Sequence, residues 1–513
     1  MSIYFSINLK VFIYNKTTFL SIQIVKLKHL SYNGIMIVQI YSKLKENLLI
    51  KAIRNCLDSK WMMIALIALT AISNIFGAEI FVYYCYTIII VLATLFCDDL
   101  LSLFPIPCCG YMTFSKSNNP LSKEQSSIFL KQSSITHMII IGITISIFVI
   151  TRIIFDIIKH KERRTRPKLL FGFIILGLTY ILGGLFTNSY STKTALFGLI
   201  QILTLSFTYF CFYFTVDWRR VNKNYFPILF TLIGFLMVTE VFNMLLISNF
   251  FNTTGSFNRG NLYTGWGIYN NVAGICIFTI PAPFYFACTK KNGWIYSLLG
   301  TLFLVFTILT QSRNGILMGT ITYGICALFT LIKTKKTERI KHLITFFALL
   351  ITAITILFMF KETIINLFFG VYKAGTNDSG RFNIYKHGLE QYIESPILGK
   401  GFYECEAFRW GIPYKEGSFL PPRYHNTYVQ ILASCGTIGI IAYLFHRFET
   451  IKLFYKSKDT ANQLIGITLI GFILIGLLDC HFHNFGPGFL YSALLLLSEK
   501  IYNNNETKKA ISK

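Results

Sequence analysis

The chain has 513 residues, of which 53% are hydrophobic and 14% are charged, and its mean hydropathy is +0.54. A water-soluble protein of this length could not expose so much apolar surface, so the composition excludes a soluble globular enzyme and predicts an integral membrane protein. The net charge of +25 does not indicate binding to nucleic acid, because the Lys and Arg residues lie in short gaps between apolar runs and form no basic domain.

Apolar runs long enough to cross a membrane recur from Trp61 to the C-terminal region. As an α-helix, a run of about 18 residues or more spans a hydrocarbon core about 30 Å thick. The predicted fold class is therefore an all-α polytopic membrane protein, with about 12–14 transmembrane helices and one large extracytoplasmic loop that carries a surface helix. The candidate spans are 61–77, 79–97, 135–155, 168–187, 194–216, 226–248, 264–288, 293–311, 314–332, 343–360, 426–445, 461–479 and 484–498.

The N-terminal region, residues 1–60, is predicted to be a basic cytoplasmic segment, because it carries many Lys residues and no apolar run of the signal-peptide type. We attach no structural expectation to residues 1–35. Two crossings would return the chain to the cytoplasm by residue 98, although the gap that follows is predicted to lie outside. The stretch Leu100–Phe114, interrupted by Pro105 and Pro107, is predicted to be a short broken helix that supplies the missing crossing.

Three later gaps, at 159–168, 219–223 and 333–341, are rich in Lys and Arg and should face the cytoplasm. Because successive spans cross the membrane in opposite directions, the cytoplasmic gaps fix the expected location of each later region of the chain. The regions are transmembrane helices over 61–360, an extracytoplasmic catalytic loop over 361–425, C-terminal transmembrane helices over 426–498 and a cytoplasmic tail over 499–513.

The long loop is predicted to contain one amphipathic helix. Its apolar residues recur at helical spacing, the helix should begin after Asp378 or Ser379 as N-cap, and it should end at Ser395–Pro396. Such a helix is expected to lie on the outer membrane surface. The apolar residues that define it are Phe382, Tyr385, Leu389, Tyr392 and Ile393.

Two arginines are candidate ligands for an anion. Arg313 lies where two apolar runs meet at the outer boundary, and it is either an arginine that reaches from a helix end to the interface or a ligand for phosphate oxygens. Arg381 falls in the first turn of the predicted surface helix, where the helix dipole disfavours a cation. It therefore needs a compensating anion, either Asp378 or a bound ligand.

His425 and Asn426 end the long loop and begin the next apolar run. A lone histidine at an interface is usually structural, but an imidazole is also the natural proton acceptor for a sugar hydroxyl in a wet outer pocket. Arg423 beside it would lower the pKa of the imidazole and keep it neutral.

Further polar residues lie near the same boundary. Glu240, with Asn243 one turn later, is an acid within an apolar run and thus a candidate functional residue. Hydrogen bonding between helices explains each of these residues equally well. The others are Asn270 and Asn271 after Arg259, and His481, His483 and Asn484 in the last outer turn.

Several motifs of nucleotide-dependent enzymes are missing from the sequence, namely GxxxxGK[ST], GxGxxG after a strand and Asp-x-Asp. A machine driven by nucleotides is therefore disfavoured. We expect no cofactor and no metal.

The order of the motifs resembles the O-antigen ligase and polymerase family of integral membrane glycosyltransferases over roughly residues 190–480. Each motif is weak alone, but their order, spacing and common outer face make the combination specific. The motifs are Ser312-Arg313-Asn314-Gly315, Gly380-Arg381, Pro396-Ile397-Leu398-Gly399-Lys400-Gly401-Phe402, His425-Asn426-Thr427-Tyr428 and Gly436-Thr437-Ile438-Gly439.

The resemblance implies a metal-independent enzyme in the cytoplasmic (inner) membrane with its active site on the extracytoplasmic face. Its donor would be a glycan on a polyprenyl diphosphate, such as undecaprenyl diphosphate, and its acceptor another glycan or a lipid-linked molecule. Arg313 and Arg381 would bind the diphosphate and offset the charge of the leaving group. His425 would orient or deprotonate the acceptor hydroxyl. The residues expected to bind substrate are Asn426, Arg259, Asn271, Glu240 and Arg423.

Two alternatives stay open. The chain departs from a lipopolysaccharide ligase in its extended N-terminus and in offering nothing that recognises a lipid A core, which leaves the acceptor open. The sequence does not distinguish a ligase from a polysaccharide polymerase, and we favour a polymerase or a Gram-positive-type surface polysaccharide transferase. A lipid-linked oligosaccharide flippase or other transporter would have a similar number of helices, but it predicts charged residues along the middle of the bundle and short loops on both faces. Here the candidate residues cluster at one face beside one large loop.

Overall fold

The computed structural model describes residues 47–113, 132–160, 166–188, 190–247, 263–264, 267–362, 364–365, 381–402, 424–455 and 457–511. The described residues of the N-terminal half are mostly helical. The helices are α1 (Leu48–Leu57), α2 (Lys60–Phe76), α3 (Glu79–Phe96), α4 (Pro105–Cys109), α5 (Gln132–Lys159), α6 (Leu170–Leu182), α7 (Thr192–Thr215) and α8 (Tyr225–Ile247).

The C-terminal half begins with a small antiparallel ladder in which Tyr263 pairs with Ile268. Helices follow to the end of the described chain. The elements are β1 (Tyr263–Thr264), β2 (Gly267–Ile268), α9 (Tyr269–Thr279), α10 (Pro281–Thr289), α11 (Trp294–Leu309), α12 (Arg313–Lys333), α13 (Lys336–Met359), α14 (Arg381–Glu394), α15 (Thr427–Tyr455), α16 (Thr460–Ile475) and α17 (Phe485–Ile511).

The predicted all-helical membrane class is confirmed. Within the described residues, eight candidate spans are long and apolar enough to cross a membrane, or nine if α1 and α2, bent by 67°, are counted as one span. Shorter apolar helices, including α6, α11 and α16, fall below the length of a full span. Helix length in the described residues therefore supports fewer crossings than the 12–14 predicted.

The predicted broken helix after residue 100 is present. The 3₁₀ turns Leu101–Leu103 and Gly110–Thr113 flank α4, which begins at Pro105. A proline is tolerated in the first turn of a helix because its missing N–H has no intrahelical partner there. The predicted span 264–288 is likewise divided, with α10 starting at Pro281 directly after α9.

Helix α15, predicted as a single span over 426–445, is broken at Gly436, where φ is 65° and ψ is −161°. The rings of Tyr428 and Tyr443 nevertheless lie 5.6 Å apart. In a straight helix they would be separated by about 22 Å along the axis, so the chain folds back at the glycine. The prediction of one continuous helix is wrong here. The part that follows the break, residues 437–455, is about 28 Å long and can span the membrane by itself.

The surface helix α14 is also confirmed over its described residues, although its predicted N-cap residues lie outside them. Gly388 and Gln391 are buried against the protein, whereas Phe382, Leu389 and Ile393 are exposed. A helix that turns its apolar residues away from the protein is suited to a lipid interface. Its position at the outer surface stays a prediction.

Helices α6, α7, α15 and α17 form one packed group around the C-terminal part of the chain. A close approach of α7 to α6 depends on Gly198, because a Cβ atom there would lie 2.0 Å from the carbonyl oxygen of Tyr180. Small residues at such crossings are typical of membrane helices. The turn between α16 and α17, residues 476–484, is surrounded by this group and by α9 and α12.

Candidate functional site

The turn of residues 476–484 receives side chains from three motifs that are far apart in sequence. Asn314 Nδ2 and Arg381 Nη1 donate to the carbonyl oxygen of Leu478, over 3.0 and 2.9 Å. Asn426 Nδ2 donates to the carbonyl oxygen of Leu477 over 3.0 Å. The exposed carbonyls of a turn that follows a helix need donors, and these motifs supply them. The 476–484 turn therefore joins the Ser312–Gly315, Gly380–Arg381 and His425–Tyr428 motifs.

Asp479 is the acidic residue at the centre of this turn. The predicted span 461–479 ends early, at Ile475, so Asp479 belongs to the connection between α16 and α17. Only 5% of Asp479 is exposed. Its carboxylate lies 3.2 Å from His425 Nδ1 and accepts hydrogen bonds from the Cys480 backbone N–H at 2.7 Å and from Asn270 Nδ2 at 3.2 Å.

These contacts keep the buried carboxyl ionised. Burial alone would raise the pKa of Asp479, but the hydrogen bond from His425 and the charges of His481, His425 and Arg381 outweigh it and hold the pKa well below its usual range. An ionised Asp479 accepts a hydrogen bond and does not donate one. Nδ1 of His425 therefore carries the proton between them, and Nε2 is the ring nitrogen that can accept a second proton.

The backbone of His425 is held in an unusual conformation. Its φ is 49°, in the left-handed region that few residues other than glycine adopt. Tyr385 Oη donates to the His425 carbonyl oxygen over 3.1 Å, which ties this conformation to α14. The side chain is 30% exposed. Strained residues supported in this way often occur in active sites.

Asn426 has the contacts of a helix cap. Its Oδ1 accepts from the backbone N–H groups of Tyr428 and Val429, over 2.9 and 3.2 Å, at the start of α15. Together with the bond to Leu477, this fixes the orientation of the residue that follows His425. Direct contact of Asn426 with a substrate stays a prediction.

Arg313 opens α12, and Ser312 is the N-cap. The Ser312 hydroxyl accepts from the Gly315 N–H over 3.2 Å and donates to Asn270 Oδ1 over 2.8 Å. The residue after Arg313, Asn314, donates to the Leu478 carbonyl oxygen, which also accepts from Arg381. This proximity supports one anion site for both arginines, and the shared site remains a prediction.

A second network lies beside Asp479 in the same turn. Asn271 Oδ1 lies 3.1 Å from His481 Nδ1 and also accepts a hydrogen bond from Asn484 Nδ2. His483 Nε2 lies 3.1 Å from Tyr180 Oη. Asn271 was predicted to bind substrate, but it is buried, with an exposed fraction of 6%, and its side chain contacts His481 and Asn484. Its contacts fit the alternative of hydrogen bonding between elements.

Glu240 lies in α8 with an exposed fraction of 3%, and Asn74 of α2 donates to its carboxylate. This contact also fits hydrogen bonding between helices. Arg259 and Arg423 lie outside the described residues, so their predicted contributions to the site are not placed.

Sequence reasoning did not identify Asp479 as a site residue. It singled out His481, His483 and Asn484 in the same turn but passed over the acid that precedes them. The available signal was a lone carboxylate at the outer end of an apolar run, the feature that identified Glu240. Asn314 and Tyr385 were likewise not predicted to position site residues.

Comparison with protein families matches residues 298–444 to the family described as O-Antigen ligase. The matched segment includes Arg313, Arg381 and His425, whereas Asp479 follows it. Comparison with curated proteins finds no match. The match confirms the resemblance carried by the motifs: residues 298–444 of the chain are similar to the O-antigen ligase family.

Proposed function

We propose that this protein is a glycosyltransferase that joins a glycan carried by a polyprenyl diphosphate to an acceptor hydroxyl at the outer face of the cytoplasmic membrane. The family match and the multi-pass helices support the broader statement, a membrane glycan ligase in surface polysaccharide synthesis. The donor, the acceptor and the side of the membrane are parts of the proposal.

The contact that carries the proposal is the one between His425 and Asp479, at 3.2 Å. A buried carboxylate on Nδ1 fixes the tautomer of the imidazole and stabilises the imidazolium that forms when Nε2 takes a proton. His425 remains partly exposed, so an acceptor hydroxyl can approach it.

The proposed reaction is a direct displacement at the anomeric carbon of the donor. The acceptor oxygen forms a bond to this carbon while its proton passes to Nε2 of His425. The bond between the anomeric carbon and the diphosphate oxygen breaks, and the diphosphate leaves with the electron pair. Asp479 stays ionised throughout, and His425 later releases its proton to solvent.

Arg381 and Arg313 would offset the charge that develops on the leaving diphosphate. One N–H group of Arg381 is directed to the Leu478 carbonyl, which anchors a guanidinium that has five N–H donors in all. Two guanidinium groups can bind the oxygens of one diphosphate in the bidentate geometry that suits them. With this positive charge the proposed mechanism needs no metal.

The proposal is tested by incubating the purified protein with a polyprenyl diphosphate glycan and following the products. Lengthened lipid-linked glycan would identify a polymerase, and transfer to a separate acceptor would identify a ligase. If neither product forms while the glycan crosses a vesicle membrane, the protein is a transporter and the proposal is wrong.

The matched pair of variants for this assay is His425→Ala and His387→Ala. His387 is a histidine on α14, the helix that begins with Arg381, and its Nδ1 lies 3.6 Å from the carboxylate of the exposed Glu390. Loss of transfer in the first variant alone would assign the proton transfer to His425.

A further inference from the structure

A basic pocket lies at the end of the bundle opposite the 476–484 turn. It encloses about 420 Å³ between the segment before α6 and the far ends of α15 and α17. From Phe485, next to the turn, to Tyr502 at the pocket, α17 extends about 25 Å. The pocket is therefore separate from the candidate active site.

Three cations from two separate parts of the chain line this pocket: Arg166, Lys168 and Lys452. Each is held against an aromatic ring. Arg166 lies 4.4 Å from the ring of Phe171, Lys168 lies 3.9 Å from Tyr502, and Lys452 lies 4.0 Å from Phe448. Such contacts orient a cation while its N–H groups stay available to an anion.

A hydrogen bond to α17 fixes the segment before α6, which carries Arg166 and Lys168. The backbone N–H of Lys168 donates to Glu499 Oε1 over 3.0 Å, and Glu499 is fully buried. Among the described lining residues the single carboxylate is Glu449, so the lining carries an excess of positive charge. Cytoplasmic loops of membrane proteins are generally rich in Lys and Arg, so positive charge at this face is expected. That tendency does not require the cations to converge on one pocket.

The rim of the pocket has the character of a membrane interface. Phe171 and Phe448, whose rings contact two of the lining cations, are 52% and 57% exposed. Exposed aromatic residues beside Lys and Arg are typical of the headgroup level of a bilayer. Basic pockets between transmembrane helices on the cytoplasmic side are suited to acidic lipid headgroups.

We propose that this pocket binds the phosphate of an anionic phospholipid from the leaflet on the basic face of the protein. The volume falls within the range of about 300–1,000 Å³ that is usual for small-ligand sites. The lipid would link α6, α15 and α17. Because α15 and α17 begin beside the 476–484 turn, the bound lipid would stabilise the helices that frame the candidate active site.

The test uses delipidated full-length protein in detergent, titrated with phosphatidylglycerol while its thermal unfolding is followed. Phosphatidylcholine with the same acyl chains controls for bulk lipid, and inorganic phosphate controls for the anion alone. We expect phosphatidylglycerol to raise the unfolding midpoint more than either control. An equal response to phosphatidylcholine, or full reproduction of the response by inorganic phosphate, overturns the proposal.

Variants assign the effect to the pocket. Each cation removed should weaken phosphatidylglycerol binding about fivefold, so the triple variant Arg166→Gln, Lys168→Gln, Lys452→Gln should lose on the order of a hundredfold. The matched control, Lys290→Gln, Lys291→Gln, Lys336→Gln, removes three exposed cations outside this pocket and should bind normally. Equal binding by both triple variants contradicts the proposal. If the pocket variant does not fold, the single variants are compared with Lys290→Gln.

A variant that binds phosphatidylglycerol more tightly provides a second test, because a misfolded protein would bind more weakly. Glu449 is the carboxylate in the pocket, so Glu449→Gln removes a charge that repels the phosphate. We expect phosphatidylglycerol to bind this variant about fivefold more tightly. Unchanged or weaker binding by a folded Glu449→Gln variant would argue against a phosphate in the pocket.

Discussion

Arg381 and Asn314 donate to the same oxygen, the carbonyl of Leu478, over 2.9 and 3.0 Å. One arginine motif is thereby brought beside the other, since Arg313 directly precedes Asn314. The same turn continues into Asp479, the partner of His425. The proposed diphosphate ligands and the proposed base therefore share one backbone support.

We predict that Arg313→Lys and Arg381→Lys each weaken donor binding about 10- to 100-fold, because an ammonium group cannot replace a bidentate guanidinium. If both arginines bind one diphosphate, the double variant should lose less than the product of the single losses. This coupling is measured from the donor affinities of the unmodified protein, the two single variants and the double variant. Independent losses that multiply, or a separation of the two guanidinium groups beyond about 15 Å in a donor complex, would count against a shared site.

Asp479→Asn should lower transfer by about 10²–10⁴-fold while donor binding changes little. The amide has the same size as the carboxylate but carries no charge that would stabilise an imidazolium, and its N–H group would favour the wrong tautomer of His425 if it faced Nδ1. Glu390→Gln, which neutralises an exposed acid on α14, is the control and should be fully active. Normal turnover of a folded Asp479→Asn variant would remove Asp479 from the mechanism.

The charge of Asp479 should not change between pH 8 and pH 5. The pKa of this carboxyl is held well below its usual range, so the carboxylate stays ionised over that interval. A group with a depressed pKa in the folded protein stabilises it until the pH falls toward the ordinary carboxyl pKa and below. The difference in unfolding midpoint between the unmodified protein and Asp479→Asn should therefore stay constant from pH 8 to pH 5 and narrow only at lower pH. A difference that already narrows between pH 8 and pH 5 would contradict a depressed pKa for Asp479.

Much of this arrangement was predictable from local sequence. The helical spacing of apolar residues predicted α14, and the residue types at the predicted outer boundary singled out Arg313, Arg381 and His425 as candidates. Asp479 could have been noticed as a lone carboxylate at the end of an apolar run, but its contact with His425 was not predictable, because the two residues lie in separate segments and a single acid leaves no periodic signal. Its role depends on the packing of α16 and α17 against the start of α15.

The break in α15 was also beyond local reasoning. The residues around Gly436 are apolar and continue the pattern of a span, so periodicity predicts an uninterrupted helix. Contacts with the Pro396–Phe402 motif decide the outcome, since Thr437 N–H donates to the Pro396 carbonyl and Lys400 N–H to the Ala433 carbonyl, both over 2.8 Å.

We predict that the long loop is extracytoplasmic. The background variant has Ser in place of the exposed Cys56 and of Cys405, a native cysteine of the loop itself. In this background, a membrane-impermeant thiol reagent applied to intact cells should label Asn383→Cys on α14 and Gly411→Cys, which like Cys405 lies outside the described residues. Lys336→Cys, in a predicted cytoplasmic gap, should be protected until the cells are opened. The reverse labelling pattern would invert the topology.

Gly436→Ala should destabilise the protein and lower transfer together. At φ 65° and ψ −161° this residue occupies a region that is essentially restricted to glycine. A Cβ atom there would also lie 2.3 Å from the carbonyl oxygen of Ile397, so the Pro396–Phe402 motif would have to move. We expect a loss of about 1–3 kcal/mol from the backbone conformation and a further loss from the displaced motif. The control is Gly324→Ala in α12.

A Cβ atom at Gly324 would meet nothing within 4 Å, so this control substitution should change stability by less than about 1 kcal/mol. Thermal unfolding in detergent and the transfer assay, run on both variants, measure the two effects. If Gly436→Ala unfolds at the same temperature as Gly324→Ala and transfers glycan normally, neither the fold nor the reaction depends on the close approach of the Pro396–Phe402 motif to Gly436.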